Sequence, residues 1–317
     1  MKVVFLQPRS FHTWESLNIG YIAAYLKKMI PGIQVDFFTD FFDTEKEIIE
    51  GCRDADIIGI SATSPQYARG IALARLVKRP DNWVVMGGYH VTNIKYKSEF
   101  VDQIVIGEGE DAMVRICNGD RFPVVHGKEI DIHEIPNPDR DVMKQNRNID
   151  ACERDFGTRY ISLLANRGCP YGCVFCSSKS MFPRQRRRTP ESILTEFLEI
   201  ARKYRADFVK FSDDEFGTNK KQITDLCKML IYYKNKTPWG CNIVAGSIDR
   251  ETLELMKISG CSEVWMGVES GDDALLKEMR KPTTTDKIRT AFADARAVGL
   301  KRRAYCILGM PSESLES

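Results

Sequence analysis

Short apolar runs alternate with longer segments of helical spacing through most of the chain, and this alternation limits the possible folds more than any other feature. In the first part the runs fall at residues 3–6, 35–38, 57–60, 84–86 and 104–106. Between them, residues 17–30 carry Leu17, Tyr21, Ala24, Tyr25 and Met29 at helical spacing and stop at Pro31-Gly32. Residues 44–52 and 66–78 read as further helices, and another follows Gly109. Short apolar strands separated by helices predict an α/β fold with a doubly wound parallel sheet, flavodoxin-like or Rossmann-like, whose ligands sit beyond the carboxyl ends of the strands. The rhythm breaks at Ile135-Pro136-Asn137-Pro138-Asp139, because each proline fixes φ and removes a donor. Residues 126–156 are therefore expected to link a domain at 1–125 to one at 157–317. In the second domain strands are expected at 160–164, 208–211, 242–245, 263–267 and 303–308. Helices are expected at 190–204, 220–233, 249–258, 272–279 and 285–298. Strand–helix units of ~30 residues predict a (β/α) barrel or part of one.

With 46 basic and 44 acidic residues the chain lacks the basic excess of a nucleic-acid-coating protein. A 43% hydrophobic content excludes a disordered chain. No apolar run approaches the ~18 residues of a membrane helix, so no membrane partner is expected. The opening Met1-Lys2-Val3-Val4-Phe5-Leu6 lacks a small-residue cleavage site and reads as a strand rather than a signal peptide. Of the ten cysteines, those at 169, 173 and 176 are clustered and seven are scattered. This pattern points to a reducing, cytoplasmic compartment, with the scattered thiols serving as small buried hydrophobes.

Asn166-Arg167-Gly168-Cys169-Pro170-Tyr171-Gly172-Cys173-Val174-Phe175-Cys176 follows directly after a strand. Three thiolates on one loop can hold three irons of a cubane and leave the fourth open. Zinc or plain packing are the alternatives, but structural zinc takes four ligands and no His follows His133. Cys169, Cys173 and Cys176, with Phe175 before the last, resemble the signature of the radical S-adenosylmethionine (SAM) superfamily. The resemblance implies a 4Fe-4S cluster whose open iron chelates the amino and carboxylate groups of SAM. It also implies reductive cleavage to a 5′-deoxyadenosyl radical and a partial, TIM-type (β/α)6 barrel, with Phe175 beside the cofactor.

Two further segments match that superfamily. Phe211-Ser212-Asp213-Asp214-Glu215-Phe216 ends the second barrel strand, where the resemblance implies that Asp213 and Asp214 meet the methionine ammonium; a helix-capping loop is the alternative. Gly267-Val268-Glu269-Ser270-Gly271 ends the fourth, where Glu269 and Ser270 are implied near the ribose and carboxylate; an ordinary glycine-flanked turn is the alternative. Leu308-Gly309-Met310-Pro311-Ser312-Glu313 resembles the Gly-x-Pro-x-Glu of many members. A six-stranded partial barrel has a further helix and strand after this point, so the barrel is expected to be short of its last strand or completed by another chain. Arg184-Gln185-Arg186-Arg187-Arg188 could bind a phosphate, but its ordinary reading is a solvated basic turn.

In the first domain, residues 17–26, Gly59-Ile60-Ser61-Ala62-Thr63, Gly87-Gly88-Tyr89-His90-Val91-Thr92 and Gly107-Glu108-Gly109-Glu110 occur in order. Together, ahead of the cysteine loop, they resemble the cobalamin-binding domain of cobalamin-dependent radical SAM enzymes. The resemblance implies a corrin at the strand ends, with its nucleotide tail among Ser61, Thr63, Gly87, Gly88 and His90. The Asp-x-His-x-x-Gly motif that supplies a lower axial His elsewhere is absent. His12, in the loop after the first strand, is a surface or packing His on its ordinary reading. The family implies an enzyme that transfers a methyl group to an unactivated carbon or phosphorus, fed by a reducing donor such as flavodoxin or ferredoxin. A radical rearrangement, cyclisation or oxidation, or a non-catalytic corrinoid- or cluster-binding subunit, are the alternatives. The substrate, small molecule or peptide, is not legible in the residues.

Overall fold

β1 (Lys2–Gln7) lies between two parallel neighbours of a six-stranded sheet in a computed structural model that describes residues 1–9 and 15–314. Around it the chain forms α1 (Leu17–Met29), β2 (Gln34–Thr39), α2 (Glu45–Cys52), β3 (Ile57–Ser61), α3 (Tyr67–Val77), β4 (Trp83–Gly87), α4 (Tyr89–Ile94), β5 (Gln103–Ile106), α5 (Gly109–Cys117), β6 (Val124–His126) and α6 (Gln145–Phe156). The strand order is β2-β1-β3-β4-β5-β6, so the switch point falls between β1 and β3.

Period-two alternation sorts each apolar strand onto two cores. Val3, Phe5, Ile57, Val85 and Val105 pack with Ile19, Ala23 and Leu26 of α1 and with Ala112, Met113 and Ile116 of α5. Val4, Leu6, Ile58, Ile60, Val84, Met86 and Ile104 pack with Ile48 of α2 and with Leu73, Ala74 and Val77 of α3. Each fully buried Val, Ile or Leu contributes roughly 1.5–3 kcal/mol. Gly59 leaves space for the Phe5 ring, which a Cβ would meet at 2.7 Å.

The 126–156 segment is more ordered than the expected linker. Asp139 N–H donates to the Gly20 carbonyl at 2.9 Å, Asp139 pairs with Lys27 at 2.7 Å, and Val142 joins the first core. Residues 145–156 form α6. The prolines at 136 and 138 exclude regular structure locally, yet they do not stop the chain from packing. β6 escapes a sequence reading because it is three residues long, next to Pro123, with Val124 exposed.

The second unit begins near residue 156; the two compact units are Met1–Asp155 with Ser180–Phe182, and Phe156–Lys179 with Pro183–Ser317. Its elements are β7 (Tyr160–Leu163), β8 (Asn166–Arg167), α7 (Ser178–Met181), β9 (Arg186–Arg187), α8 (Pro190–Lys203), β10 (Phe208–Phe211), α9 (Lys220–Tyr232), β11 (Trp239–Val244), α10 (Arg250–Ile258), β12 (Cys261–Glu269), α11 (Asp273–Glu278), α12 (Thr285–Ala297) and β13 (Lys301–Cys306). β7, β10, β11, β12 and β13 form an open, all-parallel sheet in the order β13-β12-β11-β10-β7, an incomplete TIM-type barrel. Thr189, Asn219, Asp249, Asp272 and Thr284 each cap the helix that follows. Phe211 anchors the helix side, with ring centroids 4.8 Å from Phe216 and 5.3 Å from Trp239. No helix among the described residues is long and apolar enough to cross a membrane.

Gly20 tests the packing of the 126–156 segment. A Cβ there would lie 2.3 Å from Met143 Sδ and 2.9 Å from Pro138 Cβ. Gly20→Val should therefore cost ~1–3 kcal/mol, read as a lower urea midpoint, and pairing it with Met143→Ala should recover part of the loss.

Candidate functional site

The cysteine loop grows out of a small antiparallel ladder. β8 pairs with β9, Asn166 opposite Arg187 and Arg167 opposite Arg186, and the loop between them carries all three clustered thiols. Gly168, at φ +79°, turns the chain into the loop. Cys169 and Cys173 are half-buried and Cys176 is exposed. Of the seven scattered thiols, six are buried and Cys306 is exposed. Burial pushes Cys52 up to about 12 and Cys117 and Cys227 to about 11, as suits inert packing thiols. Cys169 is also pushed up to about 11 by burial, with Glu215 and Asp214 adding to the effect. No three ligand-type side chains among the described residues converge on one metal ion. A cubane asks for one thiolate per iron on separate corners, which three accessible thiols on one loop suit.

The three carboxylates after β10 take three different positions. Asp213 is 1% exposed, and its two oxygens accept from the backbone N–H groups of Ala165 and Asn166. Burial pushes its carboxyl up to about 7 against the pull of those bonds. Asp214 is exposed and accepts from the Ser178 hydroxyl at 2.6 Å, just past Cys176. Glu215 is buried, accepts from Gly217 N–H at 2.7 Å, and is also pushed up by burial to about 7. Asp213 therefore secures the base of the cysteine loop rather than offering a free carboxylate. Glu215, which the sequence did not single out, is the buried acid whose nearness helps raise Cys169 and Tyr171. The Asn166 amide, 1% exposed, has no hydrogen-bond partner among the described residues. An orphaned buried amide at the foot of the loop fits a site that is completed by a polar ligand.

At the end of β12 the register with β13 shifts between Gly267 and Glu269, and Glu269 takes φ +65°. A non-glycine residue in that region is strained by ~1–3 kcal/mol. Its carboxylate pairs with Lys281 at 2.6 Å, and both side chains are under a tenth exposed. Ser270 Oγ accepts from Asp272 N–H at 3.0 Å. Phe175 is 40% exposed, with the Lys281 ammonium 6.0 Å from its ring centroid. Lys281 carried no signal in the sequence beyond a basic pair before a proline.

The arginine run is not a solvated turn. Arg186 and Arg188 are buried; Arg188 pairs with Glu196 and donates to the Leu164 carbonyl, while Arg187 donates to Gln185 and Thr218. Their charges serve the β9–α8 corner.

In the first unit, Ser61 and Gly87 are register partners at the ends of β3 and β4. Asn18 donates to Ser61 Oγ at 2.9 Å beside the switch point. Thr63 is exposed and its hydroxyl donates to Gln66 Oε1. The His90 ring stacks on Tyr67 at 3.8 Å and its Nδ1 lies 3.1 Å from Ser64 Oγ. Ser61, Thr63, Gly87, Gly88 and His90 thus share one edge of the sheet. Gln7 Oε1 at the end of β1 and Tyr67 Oη are buried without partners among the described residues. One orphaned polar atom at the carboxyl end of β1 and another on α3, whose Tyr67 ring stacks on His90, fit a polar ligand held there. His12 lies outside the described residues.

Residues 163–317 match the model of the Radical SAM superfamily, and residues 9–117 match that of the B12 binding domain. The chain joins a B12-binding domain to a radical SAM domain. It is 27% identical to an uncharacterized methyltransferase of Pyrococcus horikoshii over 96% of this chain and 71% of that protein. It is 26% identical to the anaerobic magnesium-protoporphyrin IX monomethyl ester cyclase of Rubrivivax gelatinosus over 100% of this chain and 64% of that enzyme. Its fold is similar to that of a radical SAM methyltransferase from Kitasatospora setae solved with cobalamin and a [4Fe-4S] cluster, with a TM-score of 0.81 at 15% identity over 99% of this chain and 68% of that one. The radical SAM domain brings Cys169, Cys173, Cys176, Asp214, Glu215 and Phe175 onto or against one loop.

Asp213 holds its proton more tightly folded than unfolded, where the ordinary value is 3.8. The stability it contributes is complete below pH 4 and lost as pH rises through 7. Between pH 5 and 8 the urea midpoint should fall for the wild type and fall less for Asp213→Asn, in which Asp214 and Glu215, also raised by burial, still titrate. In the B12-binding domain Gly88 stands at φ +99°, and a Cβ would lie 2.6 Å from the Ala62 carbonyl oxygen; at Gly87 it would meet only Val105, at 3.7 Å. Gly88→Ala should destabilise by ~1–3 kcal/mol and Gly87→Ala by much less, by denaturant titration.

Proposed function

We propose that the protein is a radical SAM enzyme that uses a 4Fe-4S cluster, SAM and cobalamin to transfer a methyl group to an unactivated centre. The single observation that carries this reading is one loop with three accessible thiols in Cys-x3-Cys-x2-Cys spacing, set against buried carboxylates, in a chain that also has a B12-binding domain. Similarity to a methyltransferase over 96% of the chain supports it. When bound, these groups would supply a 5′-deoxyadenosyl radical and a transferable methyl. Cys169, Cys173 and Cys176 would hold the cluster. Glu215, with Asp214, offers negative charge for an ammonium; Glu269 and Ser270 offer acceptors for a ribose, and Phe175 an apolar wall. Ser61, Gly87 and His90 would contact the cobalamin tail, while Thr63 and Gly88 shape the backbone there. A low-potential donor of flavodoxin or ferredoxin type and a reducing, cytoplasmic compartment complete the reading, the latter supported by the six buried free thiols.

A second reading, a radical cyclisation or oxidation without methyl transfer, is favoured by the similarity to the cyclase over the whole chain. Anaerobic reconstitution separates the readings. The wild type should take up about four irons per chain, the cubane stoichiometry, and Cys169, Cys173, Cys176→Ala should take up none there. With SAM, hydroxocobalamin and a reductant, methyl transfer requires S-adenosylhomocysteine alongside 5′-deoxyadenosine, whereas the second reading gives 5′-deoxyadenosine alone. Iron retained in full by the triple variant would overturn both, and a loaded protein that forms neither product would point to a non-catalytic subunit.

A further inference from the structure

Lys281 is a buried cation against the cysteine loop. Its ammonium is 2.6 Å from Glu269 Oε1 and 6.0 Å from the centre of the Phe175 ring, one residue before Cys176. The loop is tied to the same stretch of chain, since Val174 N–H donates to the Met279 carbonyl at 3.1 Å. Gly267 makes the space for the pair: a Cβ there would lie 2.6 Å from the Lys281 ammonium and 2.3 Å from Glu269 Oε1. Glu269 reaches it from a strained left-handed backbone, φ +65°, at the β12 bulge. A missing side chain, a strained residue and a backbone tie thus hold one pair of opposite charges beside the thiols.

Stability is a weak reason for this arrangement, because desolvation of a buried pair offsets most of its Coulomb gain. Charge balance is a better one. The pair sits against the stretch between the second and third thiols: the Lys281 ammonium is 6.0 Å from the Phe175 ring centre, and Val174 is tied to Met279 two residues before Lys281. A cluster reduced by one electron gains one negative charge. An unpaired ammonium nearby favours that reduced state, an unpaired carboxylate opposes it, and a closed pair does little of either.

We propose that the Lys281–Glu269 pair is a charge-balancing element that sets the reduction potential of the cluster held by Cys169, Cys173 and Cys176. The inference rests on the cluster reading above. Lys281 acts here as a positioning residue: it compensates Glu269 and touches no iron. Opening the pair from either side shifts the potential in opposite directions, which loss of packing would not do.

The experiment is a redox titration, followed by the electron paramagnetic resonance of the reduced cluster, on anaerobically reconstituted full chain without SAM at pH 8. Wild type, Glu269→Gln, Lys281→Met, Lys281→Arg and the double variant Glu269→Gln/Lys281→Met are compared at matched iron content. Glu269→Gln should titrate above the wild type and Lys281→Met below it. Each shift should change the reduced-to-oxidised ratio about tenfold at fixed potential, which is ~59 mV for a one-electron couple. The double variant and Lys281→Arg should lie close to the wild type. Coincident potentials, or single variants that shift in the same direction, overturn the proposal while leaving the cluster reading intact. Should Lys281→Met fail to load, Glu269→Gln decides alone, and a potential at or below the wild-type value overturns the proposal. Wild-type protein that takes up no iron overturns the cluster reading, and this inference with it.

Discussion

Two backbone N–H groups, those of Ala165 and Asn166, point at one buried carboxylate, Asp213, and the cysteine loop is built outward from that contact. It joins the end of β10 to the chain that leaves β7 and enters the cysteine loop. Ser212 N–H to the Leu163 carbonyl, 2.9 Å, and Asn242 to the Asp213 carbonyl, 3.1 Å, extend the junction to β11. A carboxyl held up at about 7 by burial costs stability when it ionises, so the fold keeps it where two donors compensate. With the foot of the loop fixed, the thiols themselves remain accessible.

Consecutive residues of the same type then acquire different roles. Asp213 is spent on backbone donors, Asp214 holds Ser178 past the third cysteine, and Glu215 is buried against Gly217, with Ser247 also near. Gly217 permits this, since a Cβ there would lie 2.7 Å from Glu215 Oε1. Gly267 does the same for Glu269 and Lys281. In both places a glycine beside a carboxyl group is explained by the room that group and its partner need, not by a turn. The B12-binding domain shows the opposite case: Gly88 is required by its own backbone, at φ +99° against Ala62, whatever ligand lies nearby.

Much of the fold was legible in the residues, because period-two runs between helical segments leave a parallel sheet as the economical solution. All ten expected strand regions overlap observed strands, and caps such as Thr189 and Pro190 located helix starts. The spacing of Cys169, Cys173 and Cys176 on one loop was legible because it is local, and the structure keeps all three on the loop between β8 and β9. What escaped was short or non-local. β6 and the β8–β9 ladder are too brief to show a period, and the prolines at 136 and 138 concealed a segment that packs through Asp139, Val142 and Met143.

Sequence alone determined the two α/β domains and the clustering of three thiols on one loop, since both depend on near neighbours along the chain. Only the tertiary structure decided which acid of Asp213, Asp214 and Glu215 is a structural tie, which arginines are buried, and that Lys281 closes on Glu269 twelve residues away. The reason is physical: the role of a charged side chain is set by burial and by the sign of what faces it, and both come from elements that meet only when the sheet is assembled.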